Sequence, residues 1–180
     1  MLFRSPLSLN PLRLARFEVI DPVHAAICRI TASGVTMVAA AGNDAFDAEN
    51  TLPAAYPEVL AVSAFTDTDG MKSGQGPHAA CYPSEADDSF ASYSNFGRVI
   101  DFAAPGTCTA TTYPGNLYTV DVGTSLAAPH VAGAVALIRA RQPFLPPLVV
   151  RQLLELRGER NSLTAAHDGI AEPIVNVRGF

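Results

Sequence analysis

Asp21-Pro-Val-His-Ala-Ala-Ile-Cys-Arg-Ile-Thr-Ala-Ser-Gly-Val-Thr-Met-Val-Ala-Ala-Ala41 is the stretch that decides the fold class. Its first half carries helix signals. Asp21 suits an N-cap, Pro22 suits a first helical position where no N–H is needed, and Ala25, Ala26, Ile27 and Ile30 supply an apolar face. Ser33-Gly34 ends that helix. Val35 to Ala41 is a run of seven residues, mostly apolar, between Gly34 and Gly42. It is too short for a stable helix and reads as a buried parallel strand. Val59-Leu-Ala-Val-Ser-Ala-Phe65 is a second run of the same kind. Helix, glycine turn and buried strand, with another buried strand behind, predict an α/β class.

Working outward, residues 67–94 are rich in Gly, Ser, Asp and Pro and predict a long surface excursion. Arg98 to Ala104 and Leu117 to Val122 read as two further strands. Between them lies a turn region with Pro105-Gly106 and Pro114-Gly115. A helix is expected from about Leu126 to Arg141, closed by Pro143, Pro146 and Pro147, and another from Leu148 to Leu156. The chain therefore divides into an irregular segment 1–20, a globular unit 21–160 and a tail 161–180.

Composition sets limits. In 180 residues with 48% hydrophobic content there is enough apolar material for one sizeable core. Charged residues make up 16% and the net charge is −5, which argues against a nucleic-acid or membrane partner held by basic charge. No run reaches the roughly 18 apolar residues of a membrane span, and Met1 to Phe17 has no apolar core of a secretory signal. Arg4, Arg13 and Arg16 precede the first acid, Glu18, a pattern shared by transit peptides and by chance sequence. Cys28, Cys81 and Cys108 form no CxxC or CxxH pair, so no metal site is expected from them. Cys28 reads as a buried, single residue in its helix. Cys81 and Cys108 lie in Pro-containing loops and are expected within bonding distance, which implies an oxidising compartment.

Two segments carry chemistry. In Gly123-Thr-Ser-Leu-Ala-Ala-Pro-His-Val-Ala-Gly133 a serine stands at a strand-to-helix junction. Unpaired N–H groups and the helix dipole there favour a negative oxygen beside Ser125. Small residues Gly123, Ala127, Ala128 and Gly133 are expected to let the helix pack close to its strand. Pro129 requires the helix to start near Ser125 or to kink. Taken alone, Gly-Thr-Ser also fits an ordinary N-cap. Val38-Ala-Ala-Ala-Gly-Asn-Asp44 is a strand ending in Gly-Asn, which by itself fits a turn.

Residues 123–133 closely resemble the nucleophile motif of the subtilisin-like serine proteases, the peptidase S8 family. Val122 stands where that family often has serine. Pro53 to Ala64, Phe90 to Gly97 and Val99 to Gly106 resemble further family segments, so the similarity runs from about residue 22 to 156. The resemblance implies a doubly wound, mostly parallel sheet with helices on both faces. It implies a serine-type endopeptidase working through an acyl-enzyme on Ser125, with Asn43 and the Ser125 N–H binding the oxyanion. Ala40, Ala41, Gly42, Gly123 and Thr124 would contact a protein or peptide substrate. The carbonyls of Ala54, Tyr56 and Val59 would offer a weak cation site, with calcium the candidate ion and otherwise no cofactor. Family members are secreted.

The family takes its catalytic aspartate and histidine from motifs upstream of the first strand seen here. His24, His78, His130 and His167 lack the family's histidine context, and Asp21 lacks that of the acid; Leu7-Ser-Leu-Asn10 is only faintly similar to the family's substrate-binding stretch. The chain is therefore expected to be the C-terminal part of a catalytic domain, truncated at its N-terminal side, whose partner is the missing catalytic portion. The alternative is an inactive remnant or non-catalytic binding module. Asn43 and Ser125 are expected to converge at the C-terminal edge of neighbouring parallel strands.

Overall fold

The computed structural model describes residues 21–72, 74–160 and 168–179. The readings made for residues 1–20 and for His167 lie outside them. The order is α1 (Pro22–Ala32), β1 (Met37–Ala40), a short 3-10 turn (Ala48–Asn50) and β2 (Val59–Thr66). There follow β3 (Ser89–Phe90), β4 (Phe102–Pro105), β5 (Thr109–Tyr113), β6 (Leu117–Asp121), α2 (Thr124–Arg141) and α3 (Pro147–Arg157).

The deciding stretch folds as its pattern requires. Asp21 accepts from the N–H groups of Val23 and His24, which have no partner within the helix, and Pro22 occupies the first turn. Asp21 also accepts the hydroxyl of Tyr56. That bond is the main cause holding the Asp21 carboxyl below its ordinary 3.8. Burial, and then Asp21 itself, push the Tyr56 phenol up to about 12. Both shifts favour a neutral phenol on an ionised carboxylate, fastening α1 to the segment before β2.

β2 is the spine of the sheet. All eight of its residues are buried, and it pairs parallel with β1 (Met37 opposite Val59) and with β4 (Val62 opposite Phe102). A short antiparallel pairing with β3 extends it. Its alternating side chains feed two cores. Leu60, Val62 and Ala64 join Phe102, Val131, Val135, Ile138, Val150 and Leu154, under α2 and α3. Val59 and Ala61 face the other way, toward Ile27 of α1, Ala39, Tyr56 and Ile100. Helices thus cover both faces of a mostly parallel sheet, as the resemblance implied.

Four expectations change. The strand expected over 98–104 forms only at Phe102–Pro105, because the Asp101 carboxylate accepts from the Ala61 N–H and takes the place of a ladder carbonyl. The turn region at 105–115 contains β5, whose threonines suit an exposed strand. It pairs antiparallel with β6 in a separate hairpin closed by Gly115 and Asn116, both at positive φ. The 67–94 excursion is pinned inward: Glu85, Asp87 and Asp88 are buried, and Asp87 accepts from Gly76 N–H and from the N–H and hydroxyl of Thr68. Burial pulls the Asp87 carboxyl upward, but these bonds together outweigh it and hold the group below its usual value. Cys28 is free, as expected, but only half buried.

Cys81 and Cys108 are bonded, with Cα atoms 5.6 Å apart. Gly133 is exposed with no atom within 4 Å of where a Cβ would stand, so it does not mediate the packing of α2 on the sheet. That role falls to Ala127 and Ala134, both buried. Among the described residues no helix is long and apolar enough to cross a membrane.

Asp101 also binds the Arg151 guanidinium at 2.7 Å, and Arg151 in turn donates to the carbonyls of Pro57 and Val59. Removing one partner strands a buried charge and the Ala61 N–H together. Asp101→Ala is therefore expected to cost roughly 3 kcal/mol in urea unfolding, while Asp101→Asn, which keeps an acceptor for Ala61, costs less.

Candidate active site

β1 ends at Ala40, and the chain then turns through Gly42-Asn43 under the control of a residue distant in sequence. Asn95 is fully buried. Its side-chain oxygen accepts from the N–H groups of Asp44 (2.9 Å) and Phe46 (3.3 Å), and its Nδ2 donates to the Ala41 carbonyl at 2.9 Å. The Asn95 N–H donates to the Gly42 carbonyl at 2.9 Å. Gly42 has φ +103°, and a Cβ there would stand 2.5 Å from Asn95 Nδ2, so only glycine fits this turn.

The second half arrives from the hairpin. After β6 the Gly123 N–H donates to the Gly106 carbonyl at 2.8 Å, which returns the chain to the C-terminal end of β4. The Tyr93 hydroxyl donates to the same carbonyl at 2.8 Å. α2 then begins at Thr124. Gly123 is its N-cap and offers no side-chain cap, so the first helical N–H needs an acceptor from elsewhere.

Asn43 supplies it. Its Oδ1 accepts from both the N–H and the hydroxyl of Thr124, each at 2.9 Å. The Thr124 oxygen in turn accepts the Gly42 N–H at 3.1 Å. These bonds fix which end of the Asn43 amide is which, because a backbone N–H can bond only to the oxygen. Asn43 Nδ2 is therefore left as a donor, and it lies on the side of Ser125: a Cβ built on Gly123 would meet Ser125 Oγ at 3.1 Å and Asn43 Nδ2 at 3.3 Å. Gly123, at φ +148°, keeps that gap open.

Both Ser125 and Asn43 are exposed. The Ser125 N–H is the second of the helix, with no acceptor in its own helix. The result is a hydroxyl flanked by two unspent donors at a positive helix end, an arrangement that stabilises oxygen anions. Pro129 lacks the N–H that would otherwise bond the Ser125 carbonyl.

The structure sorts the expected site residues. Asn43 and Ser125 do come together, at the C-terminal ends of β1 and β4, but Ser125 is delivered by the antiparallel hairpin and not by a strand of the parallel sheet. Thr124 is fully buried and both its polar groups serve Gly42 and Asn43, so it is a clamp and not a substrate contact. Ala41 is fully buried as well, its N–H and carbonyl taken by Val62 and Asn95. Gly42 and Gly123 lie beside the gap, and Ala40 ends β1 two residues before Gly42. Two of the three carbonyls proposed for a cation are engaged: that of Tyr56 accepts the Val59 N–H, and that of Val59 accepts the Arg151 guanidinium, which sets a positive charge beside it. Sequence reasoning assigns Asn95 no role; its one signal is an amide side chain within Phe90 to Gly97, a segment that resembles the family.

Three histidines are described, each bonded away from Ser125. His24 Nε2 meets Glu58, His78 Nδ1 meets the Pro83 carbonyl, and His130 Nδ1 meets the Leu126 carbonyl within α2. His130 follows Ser125 by five residues, about 140° around the helix.

Comparison with known proteins places this geometry. A model described as the subtilase family matches residues 10–167. The chain is 34% identical over 150 residues to the subtilisin-like serine protease Pen ch 13 of Penicillium rubens, covering 83% of this chain and 32% of that protein. It is 38% identical over 132 residues to subtilisin DY of Bacillus licheniformis, covering 72% and 41%. It is 42% identical over 130 residues to an extracellular protease of Xanthomonas campestris pv. campestris, covering 68% and 19%. Among solved structures, a cold adapted subtilisin-like serine proteinase matches with TM-score 0.72 and 30% identity, over 88% of this chain and 50% of that one. The chain thus spans well under half the length of these curated relatives.

The two functions of the Asn43 amide separate by substitution. Asn43→Ala removes the acceptor that caps α2 and is expected to lower stability by about 1 kcal/mol. Asn43→Asp keeps an acceptor and adds a charge favoured at a helix N-terminus, so thermal unfolding should stay close to that of the unsubstituted chain.

Proposed function

This chain belongs to the subtilase family, and on that premise we propose that it carries the nucleophile half of a serine endopeptidase site. Ser125 Oγ attacks the peptide carbonyl and forms an acyl-enzyme that water then hydrolyses. The oxyanion of each tetrahedral intermediate is held by the Ser125 N–H and the Asn43 Nδ2–H. The observation that carries this reading is the Asn43–Thr124 clamp, because it leaves one amide donor and one backbone donor flanking the same hydroxyl.

A serine hydroxyl is a weak nucleophile until a base takes its proton. The described histidines are bonded elsewhere, and the base and its orienting carboxylate are assigned to another portion of the catalytic domain. Two features support such a portion. The outer edge of β1 pairs with no strand among the described residues. One face of α2 is apolar yet exposed, with Ala132, Gly133, Ala136 and Leu137 at the surface, whereas a helix apolar all round is normally enclosed. Secretion is the localisation the relatives support, and a disulfide suits an oxidising compartment. Calcium is not assigned to the carbonyls of residues 54–59.

For the chain by itself the same reading gives no meaningful turnover. A fluorophosphonate should label the purified chain no faster than its Ser125→Ala variant. Adding the aspartate- and histidine-bearing portion of a subtilase domain, fused or co-refolded, should restore Ser125-dependent labelling and casein hydrolysis. In that complemented protein Asn43→Asp should lower kcat by about 10²–10³, and Leu137→Glu should block complementation without unfolding the chain. Rapid Ser125-specific labelling of the unaided chain would show that it already contains a base.

A further inference from the structure

α1 presents His24 and Cys28 on one face, one helical turn apart, and the segment leading into β2 sets Glu58 against them. His24 Nε2 lies 2.9 Å from Glu58 Oε2. One ligand atom from each of His24, Cys28 and Glu58 lies within 4.8 Å of the others. The group is neither sealed nor splayed into solvent: the side chains of His24 and Glu58 are 15% and 26% exposed, and Cys28 is half buried.

We propose that His24, Cys28 and Glu58 bind a single zinc ion, with water completing a tetrahedral shell.

The donor set is the first argument. Imidazole nitrogen, thiolate sulfur and carboxylate oxygen are the three donors that zinc accepts together, and three protein ligands leave one open position. A thiolate and a carboxylate also neutralise a doubly charged ion, so the site closes without a buried net charge. Pre-organisation is the second argument. The His24 ring stacks on Tyr56 with centroids 4.6 Å apart and planes 2° from parallel. Tyr56 is held by its hydroxyl on Asp21, the residue that caps α1. On either side of Glu58, the carbonyls of Pro57 and Val59 accept from Arg151. Both elements that carry ligands are thus fixed before any ion arrives.

Binding releases one proton and relocates another, because the hydrogen that His24 Nε2 donates to Glu58 has to leave that nitrogen for Nδ1. The Cys28 thiol releases its proton to solvent, and His24 binds through Nε2 as neutral imidazole with its proton on Nδ1. Burial, followed by the neighbouring Glu58, pushes the Cys28 thiol up, so the metal-free group is a thiol. Sequence spacing did not reveal this set, because Glu58 lies 34 positions from His24.

The test exploits the disulfide: with Cys81 and Cys108 bonded, Cys28 is the only thiol. Cobalt(II) is titrated into the purified 180-residue chain without reductant. The expected result is a thiolate-to-cobalt charge-transfer band that saturates at one equivalent and is displaced by zinc(II). Zinc(II) should slow alkylation of Cys28 by iodoacetamide. Cys28→Ser should abolish the band, and His24→Gln and Glu58→Gln should each weaken zinc(II) binding at least about tenfold, with circular dichroism showing that each variant is folded. If His24→Gln unfolds, Glu58→Gln and the protection of Cys28 in the unsubstituted chain decide the matter. No saturable band, or a band that survives both His24→Gln and Glu58→Gln unchanged, would overturn the proposal by reducing the site to an isolated thiol.

Discussion

The amide oxygen of Asn43 accepts two hydrogen bonds from Thr124, and the arrangement around Ser125 depends on that junction. It ties the loop after β1 to the first turn of α2, two segments 81 residues apart in sequence. Three needs are met at once. The first N–H of α2, which Gly123 cannot cap, gains an acceptor; the Thr124 hydroxyl is satisfied although buried; and the Asn43 amide is oriented with its N–H groups outward. An asparagine amide free to rotate would present either end, so a donor of fixed identity requires the oxygen to be occupied. Pre-organised donors of this kind act on a developing charge without reorganising.

The clamp is precise because both ends rest on the sheet. Asn95 holds the loop of residues 41–46 through its whole side chain, and the Gly106–Gly123 bond returns the hairpin to the end of β4. β1 and β4 flank the same strand, the fully buried β2, whose two faces are filled by separate cores. An α/β sheet brings strand ends together at one edge, and here that edge collects Asn43 from one strand and Gly106 from the other. The polar pair Arg151–Asp101 performs a comparable task on the same strand, joining α3 to β2 at the Val59 and Ala61 backbone.

Local patterns were readable from the sequence and remote pairings were not. The helix at Pro22–Ala32 follows from a cap, a proline and a short apolar face, all within eleven residues, and β2 follows from an apolar run interrupted only by Ser63 between Val59 and Phe65. Ser125 and Asn43 stood out because each lies in a contiguous motif. Strand β5 was missed because its threonines and neighbouring Pro and Gly resemble a turn until a partner strand is supplied. The sequence suggests Thr124 as a substrate contact because nothing local shows that its hydroxyl is buried under the loop that covers it. Arg151 and Glu58 carry no local signal, and that of Asn95 is faint, since the partner that gives each its purpose lies tens of residues away. Gly133 shows the opposite error: a small residue on a helix reads as close packing, yet that face meets nothing among the described residues.

The site turns on where two donors point, and a crystal structure of the complemented protein carrying a peptide boronate or aldehyde adduct on Ser125 shows this directly. The adduct oxygen is expected about 3 Å from both Asn43 Nδ2 and the Ser125 nitrogen, with Asn43 Oδ1 still accepting from Thr124. An adduct oxygen directed into solvent, or an Asn43 amide turned so that its nitrogen no longer faces the adduct, would contradict this expectation.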